Sequence, residues 1–265
     1  MVIGVSILVL TGCAKKKSTD GVFTSQCEIP TDQSGTIEGR WPITPIPISF
    51  AQSTSQPTSV FSGSDVSQIA AAADTWNVFF GRSKGIPIFS YMSGSAVSTV
   101  GDAQAGIYAS CNATIVNSSG FAASAASNGQ ASVVIHKIVD SWNRGTTNGG
   151  SSELIAVTGL CTTDGSEGEN SVFNYAWIEI NDVDFFRAGT QQPDLQSILT
   201  HELGHLLGLQ HSCTQSGQSG FPNCGTNGNY DTAVMYPSVN FPDGVNGEVR
   251  RALTFNDESR ANCLY

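Results

Sequence analysis

The sequence predicts an α+β domain of five strands and three helices, preceded by a short apolar segment and a polar linker. Short runs with alternating apolar residues, typical of β-strands, recur along the chain. Two longer segments, 64–80 and 194–209, repeat apolar residues at the three-to-four-residue spacing of an amphipathic helix. No internal repeat or second hydrophobic block is visible, so we expect a single domain over residues 41–265.

The composition restricts the class of partner. Charged residues make up 13% of the chain, about half the usual share, and the net charge is −10 with only 12 Lys plus Arg. No basic patch with interleaved aromatic residues is present, so we expect no nucleic-acid partner. The acidity favours solubility but identifies no substrate.

The first residues, MVIGVSILVLTGC, contain an apolar run of roughly ten residues, too short to span a bilayer and typical of an export signal. The tetrapeptide Leu10-Thr11-Gly12-Cys13 resembles a bacterial lipobox, which implies cleavage before Cys13 and lipid attachment to its sulfur. An ordinary secretory signal that contains a cysteine is the alternative. We predict a signal peptide at 1–12, lipidated Cys13 and a flexible tether over 13–40, and a protein of the bacterial cell envelope, at the outer membrane or cell surface, or shed from it.

The cysteine count supports export. The chain has seven cysteines, and removing Cys13 leaves six, an even number that suits disulfides in an exported protein. Cys213 and Cys224 flank a loop rich in Gly, Ser and Asn, so we predict that they pair. The other predicted pairs are Cys111–Cys161 and Cys27–Cys263, among the fifteen pairings that six cysteines allow. No CxxC occurs, which disfavours a thiolate metal site.

The elements of the domain are predicted in order. The segment 41–52, WPITPIPISFAQ, alternates Ile with Pro and predicts a strand that starts near a sheet edge. The helix over 64–80 is expected to be capped by Ser64 and Asp65 and to end at Gly81. Four further strands are predicted at 86–92, 132–142, 153–162 and 172–182.

The C-terminal third of the chain predicts two further helices. The segment 194–209, DLQSILTHELGHLLGL, keeps one face apolar, with Pro193 suited to its first turn and Gly208 ending its regularity. The closing segment LTFNDESRANCLY predicts a short helix with Thr254 as its N-cap.

Residues 201–211, HELGHLLGLQH, hold three of the four histidines of the chain. His201 and His205 are four residues apart, so on a helix they are neighbours on one face and can chelate one ion. Gly208 permits a turn with positive φ, after which His211 can return as a third ligand. Glu202 is displaced by about 100° around the helix axis, beside the metal.

Three imidazoles leave a fourth coordination position open, which distinguishes catalytic zinc from structural zinc. Zinc lowers the pKa of its water to about 7, and Glu202 can then accept the proton. The alternative is a helix with surface histidines and no metal, which the extended HExxHxxGxxH pattern disfavours.

This pattern resembles that of the metzincin metallopeptidases, which also have a methionine-containing turn beneath the metal. Met235 in AVMYP matches that turn, and Tyr236, Pro237, Ser212 and the closing segment resemble the matrixin branch, the matrix-metalloprotease type. The resemblance implies a twisted, mostly parallel five-stranded sheet with a helix packed on it, an active-site helix carrying HExxH, and a short C-terminal helix. It also implies one catalytic Zn²⁺ held by the three histidines, with Glu202 as general base.

The chain departs from the family pattern in several places. Pro237 lies where astacins and serralysins have a tyrosine ligand, so no such ligand is expected. An insert carrying Cys213 and Cys224 is expected beside the cleft, where it could alter specificity. The propeptide cysteine motif is absent, and Cys27 does not match it.

Three further polar residues in the strands need an interpretation. A second, structural zinc site is not recognisable, and His136 is expected to have a packing or surface role. Glu179 and Asp182 are candidate ligands for Ca²⁺, although no clear motif supports that ion, and ordinary solvated carboxylates are the alternative.

We therefore expect a monomeric, membrane-anchored zinc endopeptidase whose protein or peptide substrate pairs with the edge strand at Leu154–Gly159. Two alternatives remain open. The chain could keep the fold as an inactive binding module, although a structural zinc would not need Glu202. It could also be a zinc amidase that acts on cell-wall peptide.

Overall fold

A sheet of six strands carries the fold in this computed structural model, which describes residues 29, 31–42, 46–52, 61–91, 133–139, 142, 154–162, 171–215 and 218–265. The predicted signal peptide and Cys13 lie outside these residues. Within the described part of the chain, no helix combines the length and the apolar character needed to cross a membrane.

Five of the six strands form a continuous path. The strands are β1 (Gly39–Arg40), β2 (Ile48–Gln52), β3 (Phe89–Tyr91), β4 (Val133–Ile138), β5 (Ala156–Thr162) and β6 (Ser171–Asn181). Their order is β3-β2-β4-β6-β5, with β1 paired to the start of β6. Every pair is parallel except β5 with β6. The predicted mostly parallel sheet is confirmed. The sixth strand, β1, was not predicted, because its two residues are too few to show an alternating pattern.

The helices pack on one another and on the sheet. They are α1 (Gly63–Lys84), α2 (Leu195–Leu207), α3 (Gly228–Asp231) and α4 (Phe255–Leu264), with a 3-10 helix at Thr31–Thr36. The apolar face predicted for α2 is buried in the core, where Leu199, Leu203 and Leu206 are fully shielded from solvent. Trp76 of α1 donates its indole N–H to the Thr200 carbonyl at 2.9 Å, which joins the two helices.

Both predicted ends of α1 were wrong. The N-cap is Ser62, whose hydroxyl accepts from Asp65 N at 3.1 Å while the Asp65 carboxylate accepts from Ser62 N at 2.9 Å. This reciprocal capping box satisfies two free N–H groups, which Ser64 does not do. The helix continues through Gly81, because a glycine inside a helix costs only about 1 kcal/mol. It ends at Lys84, and Gly85, with φ 78°, is its C-cap.

The ends of α2 and α4 are set by local polar residues. Asp194 caps α2 by accepting from Ser197 N at 2.9 Å, so Pro193 precedes the helix instead of lying in its first turn. Gly208 closes α2 with φ 106°, the positive φ that the sequence predicts. Thr254 caps α4, as predicted, with Asp257 as its capping-box partner.

Residues 31–42, which we call the N-terminal strap, are folded onto the domain instead of forming the end of a tether. Ile37 forms a β-bridge with Leu209, and Glu38 N donates to the Gly208 carbonyl at 2.8 Å. Trp41 is buried and donates its indole N–H to the Leu206 carbonyl at 2.7 Å. The folded part therefore begins before residue 41, and the polar residues around these few apolar ones concealed it in the sequence.

Candidate metal centre

Three histidine side chains meet at the C-terminal end of α2. His201 and His205 project from the helix, and His211 comes from the loop after Gly208. One ring nitrogen of each lies within 4.8 Å of the others, and the ring centroids are 4.7 to 5.3 Å apart. Three nitrogens at such separations can be ligands of one ion, as in catalytic zinc sites.

Hydrogen bonds to backbone carbonyls orient two of these rings. His201 Nδ1 lies 2.8 Å from the Val234 carbonyl oxygen, and His205 Nδ1 lies 2.7 Å from that of Leu209. A carbonyl can only accept, so Nδ1 carries the proton and donates in both rings. The Nε2 atoms are then left with a free lone pair, the form that binds a metal.

Burial also keeps the three imidazoles neutral. Desolvation lowers the pKa of His201 to about 4 and that of His211 to about 3. Desolvation lowers the pKa of His205 well below its ordinary value as well, and the neighbouring histidines add to the effect. At neutral pH the lone pairs are therefore available, which is what metal binding requires.

Met235 packs against the helix that carries the first two histidines. Its side chain is fully buried and packs against Gly204, between His201 and His205 on α2. The turn that carries it is held by Asp257 of α4, which accepts from Val234 N at 2.9 Å and from Met235 N at 3.1 Å. Ser212 N donates to the Met235 carbonyl at 2.8 Å, so the turn also supports the loop that carries His211.

Glu202 lines the same cleft as the histidines but is not part of the ligand cluster. Its side chain is buried, and desolvation raises its pKa to about 7, against a smaller opposing effect of a hydrogen bond from Thr158. The Thr158 hydroxyl lies 2.6 Å from Glu202 Oε2. Sequence reasoning missed this threonine, because nothing local connects a residue of β5 with one of α2.

The cleft has a volume of about 810 Å³ and runs between β5 and the segment that follows Met235. Ala156, Val157 and Thr158 line one side, and Tyr236 and Pro237 line the other. Within the described chain, β5 pairs only with β6, so it is an edge strand as predicted, although it begins at Ala156 instead of Leu154.

The predicted disulfide between Cys213 and Cys224 is present, with the two Cα atoms 5.0 Å apart. The loop that it closes does not shape the cleft as we expected, since none of its described residues, 213–215 and 218–224, lines it. It contacts the N-terminal strap instead: Gly35 N donates to the Gly220 carbonyl at 2.8 Å, and the Phe221 ring packs against Gly35.

The other predicted disulfides cannot be compared in full with the structure. Cys263 takes part in a disulfide. Cys27, Cys111 and the side chain of Cys161 lie outside what the structure describes, so the pairs Cys111–Cys161 and Cys27–Cys263 stay predictions.

The remaining candidate residues are buried. Glu179 is fully shielded, and Asp182 is 8% exposed and lies 3.6 Å from Lys137 Nζ and 3.9 Å from Arg187 Nε. The alternative of solvated carboxylates was therefore wrong, because Glu179 lies on β6 between β4 and β5, and Asp182 is paired with Lys137 of β4. His136 is 1% exposed and lies opposite Glu179 in the strand register, which fits a packing role. In the described chain the three histidines are the one group suited to hold a metal, so Ca²⁺ remains a prediction.

Comparison with known proteins agrees with this geometry. The family model of Matrixin, peptidase M10, matches residues 113–218, which include the three histidines and Glu202. The fold and the histidine cluster, taken with this match, support a matrixin-like domain that is similar to zinc metallopeptidases.

One relative resembles part of this domain. Metalloendoproteinase 2-MMP of Arabidopsis thaliana is 30% identical over 89 residues, which cover 34% of this chain and 18% of the plant protein. The chain thus aligns with less than a fifth of that relative, and the similarity reaches no further than a part of the domain.

Proposed function

We propose that the chain is a zinc-dependent endopeptidase that hydrolyses peptide bonds of proteins. The observation that carries this proposal is the placement of a buried carboxylate, Glu202, in the same cleft as three neutral imidazoles. His201, His205 and His211 would hold the ion. In His201 and His205 the hydrogen bond made by Nδ1 leaves Nε2 free to bind it, and burial keeps His211 neutral. A bound zinc ion would supply Lewis acidity and lower the pKa of a water to about 7.

Glu202 has the properties that a general base needs. Burial raises the pKa of this carboxyl group to about 7 in the metal-free protein, so the group can accept and release a proton near neutral pH. It would take one proton from the attacking water and pass it to the leaving amine as the C–N bond breaks. The products are a carboxylic acid and an amine, so Glu202 returns to its starting state.

The edge strand β5 supports a peptide as the substrate. Its side away from β6 has no partner strand in the described chain, and Ala156 to Thr158 line the cleft beside Glu202. An extended peptide could add to this edge by backbone hydrogen bonds, which bind a main chain with little dependence on sequence. This geometry supports the proposal of a protein or peptide substrate.

We propose further that the mature chain is a monomer with lipid-modified Cys13, tethered to a bacterial envelope by the residues before the N-terminal strap. The lipid attachment is supported by the Leu10–Cys13 lipobox resemblance alone. Labelled palmitate should be incorporated by the full chain in cells, and a Cys13→Ala variant that still incorporates the label would exclude lipid attachment at that position.

Hydrolysis of a mixed quenched-peptide library by the zinc-loaded protein tests the proposed activity. Glu202→Ala should lose at least about 100-fold in kcat, the usual contribution of a general base, while its zinc content stays unchanged. Glu258→Ala is the matched control, because Glu258 pairs with Arg82 at the surface and does not line the cleft.

The same assay separates the alternatives. A zinc-loaded wild-type protein that cleaves no peptide in the library contradicts the proposed endopeptidase and favours a binding module. Cleavage of cell-wall muropeptides without cleavage of protein-derived peptides would identify an amidase instead.

A further inference from the structure

Thr158 of β5 makes a direct contact with the proposed general base. Its Oγ1 lies 2.6 Å from Glu202 Oε2 and 3.1 Å from the backbone carbonyl oxygen of the same residue. The two residues are 44 positions apart in the sequence. A single threonine side chain therefore connects the edge strand with both the backbone and the carboxylate of one residue of α2.

The hydroxyl proton of Thr158 is donated to the Glu202 carboxylate and not to the Glu202 backbone carbonyl. A hydroxyl has one proton to donate, and an ionised carboxylate can only accept. The carbonyl of Glu202 lies within α2, where it can accept from the N–H four residues on. A separation of 2.6 Å is typical of a charge-assisted O–H···O⁻ bond, so Thr158 donates to Oε2.

This bond limits how the Glu202 side chain can move. Three rotatable bonds separate the carboxylate of a glutamate from its backbone; the first two have several staggered positions, and the third rotates over a broad range. Among the described residues, Thr158 is the one whose side chain donates to the Glu202 carboxylate. Because it engages Oε2, it leaves Oε1 available to accept a proton.

We propose that Thr158 is a positioning residue for Glu202: its hydroxyl holds the carboxylate in one orientation and links the general base to the strand that the substrate joins. This inference rests on the proposed function. The hydroxyl contacts the base and not the substrate, so its loss should reduce kcat much more than it changes KM. A misplaced catalytic group is a known cause of large losses in rate.

Three variants test the proposal. Thr158→Val keeps the shape of the side chain and removes the hydroxyl, whereas Thr158→Ser keeps the hydroxyl. Thr162→Val makes the same chemical change on the same strand, at a position that does not line the cleft. Thermal melting and zinc content are measured for each, and Thr158→Ala replaces the valine variant if that variant does not fold.

We expect Thr158→Val to lose about 10- to 100-fold in kcat, a part of the contribution of a general base, with KM changed less than about 2-fold. Zinc content should stay at the wild-type level, which excludes an indirect effect through the metal ligands. Thr158→Ser should recover most of kcat, and Thr162→Val should match the wild type. Wild-type kcat in Thr158→Val, or an equal loss in Thr158→Ser, would overturn the proposal.

Crystal structures of the wild type and of Thr158→Val provide a readout that does not depend on activity. The Glu202 carboxylate should occupy one orientation in the wild type and several in the variant. An unchanged single orientation in the variant contradicts the positioning role even if no substrate has been found. Absence of cleavage by the wild type, by contrast, would count against the proposed endopeptidase. The orientation of the Glu202 carboxylate in the two crystal structures would still test the positioning role of Thr158.

Discussion

Met235 packs against Gly204 so closely that the helix has no room for a side chain at that position. A methyl group on Gly204 would overlap the sulfur of Met235 and would lie 3.1 Å from a ring carbon of Trp76. Gly204 is the residue just before His205 on α2. The turn that carries Met235 and the helix that carries two of the three histidines are thus in contact at one glycine.

Gly204→Ala should lower the free energy of unfolding of the metal-free protein. Alanine favours a helix over glycine by about 1 kcal/mol, but overpacking a filled core costs about 1–3 kcal/mol, and Met235 is fully buried. Urea denaturation of the wild type and the variant measures the difference.

Gly81→Ala on α1 is the matched control for this change. A side chain there would meet nothing within 4 Å, so only the helix preference remains, and the protein should gain about 0.5–1 kcal/mol. Equal stabilisation by both substitutions would contradict the close contact between Gly204 and Met235.

Gly208→Ala should both destabilise the protein and weaken metal binding. Its φ of 106° is unfavourable for any other residue by about 1–2 kcal/mol, and a Cβ would overlap the Gly39 carbonyl oxygen of the strap. Relief of the overlap would shift the loop that leads to His211. Urea denaturation and zinc titration against a chelator measure the two effects.

Gly85→Ala separates backbone strain from the steric contact. Gly85 has a positive φ of 78° as well, but a Cβ at this position would meet nothing within 4 Å, and the residue is remote in sequence from the histidines. Its substitution should destabilise the protein less than Gly208→Ala and leave zinc affinity unchanged. Similar losses of zinc affinity in both variants would show that the strap contact is unimportant.

Removal of the disulfide by the double substitution Cys213→Ala and Cys224→Ala should lower stability with little change in peptide selectivity. The two cysteines are 11 positions apart, and closing a loop of that length in the unfolded chain is worth about 3 kcal/mol at most. Denaturant unfolding measures the loss. Because the described loop residues do not line the cleft, a changed cleavage profile in the peptide library would contradict the structure.

The stability of the metal-free protein should fall as the pH is lowered from about 6.5 towards 4. Burial lowers the pKa of His201 to about 4 and of His211 to about 3, whereas both titrate near 6.5 when unfolded. The unfolded chain then binds more protons, and each histidine contributes up to about 1.4 kcal/mol per pH unit. Glu202 acts in the opposite sense, because its raised pKa favours the folded state as the pH falls from 7 to 4.5.

His211→Asn tests this interpretation. The variant has one histidine fewer, so the dependence of its unfolding free energy on pH between 6.5 and 4 should be shallower than that of the wild type. Denaturation in the presence of a chelator at several pH values measures both slopes. Identical slopes would mean that His211 titrates normally in the folded protein.

Much of the metal centre could be predicted because its information is local. The period of a helix places His201 and His205 on one face and Glu202 beside them. A glycine at the end of the helix permits the turn that brings back His211, and Gly208 has the predicted positive φ. Cys213 and Cys224 are likewise close enough in sequence for their pairing to be the simplest one.

The contacts that tertiary structure decided join segments far apart in the chain. An alternating strand pattern says that Thr158 and its neighbours point to opposite faces, but not that one of them meets Glu202. The strap shows no continuous apolar pattern of its own. It is held by distant segments, among them Leu206 of α2 and Gly208 and Leu209 of the loop that follows. Periodicity describes the geometry of one segment. These contacts depend instead on which surfaces remain exposed after the sheet and helices have packed, and only the whole fold determines those surfaces.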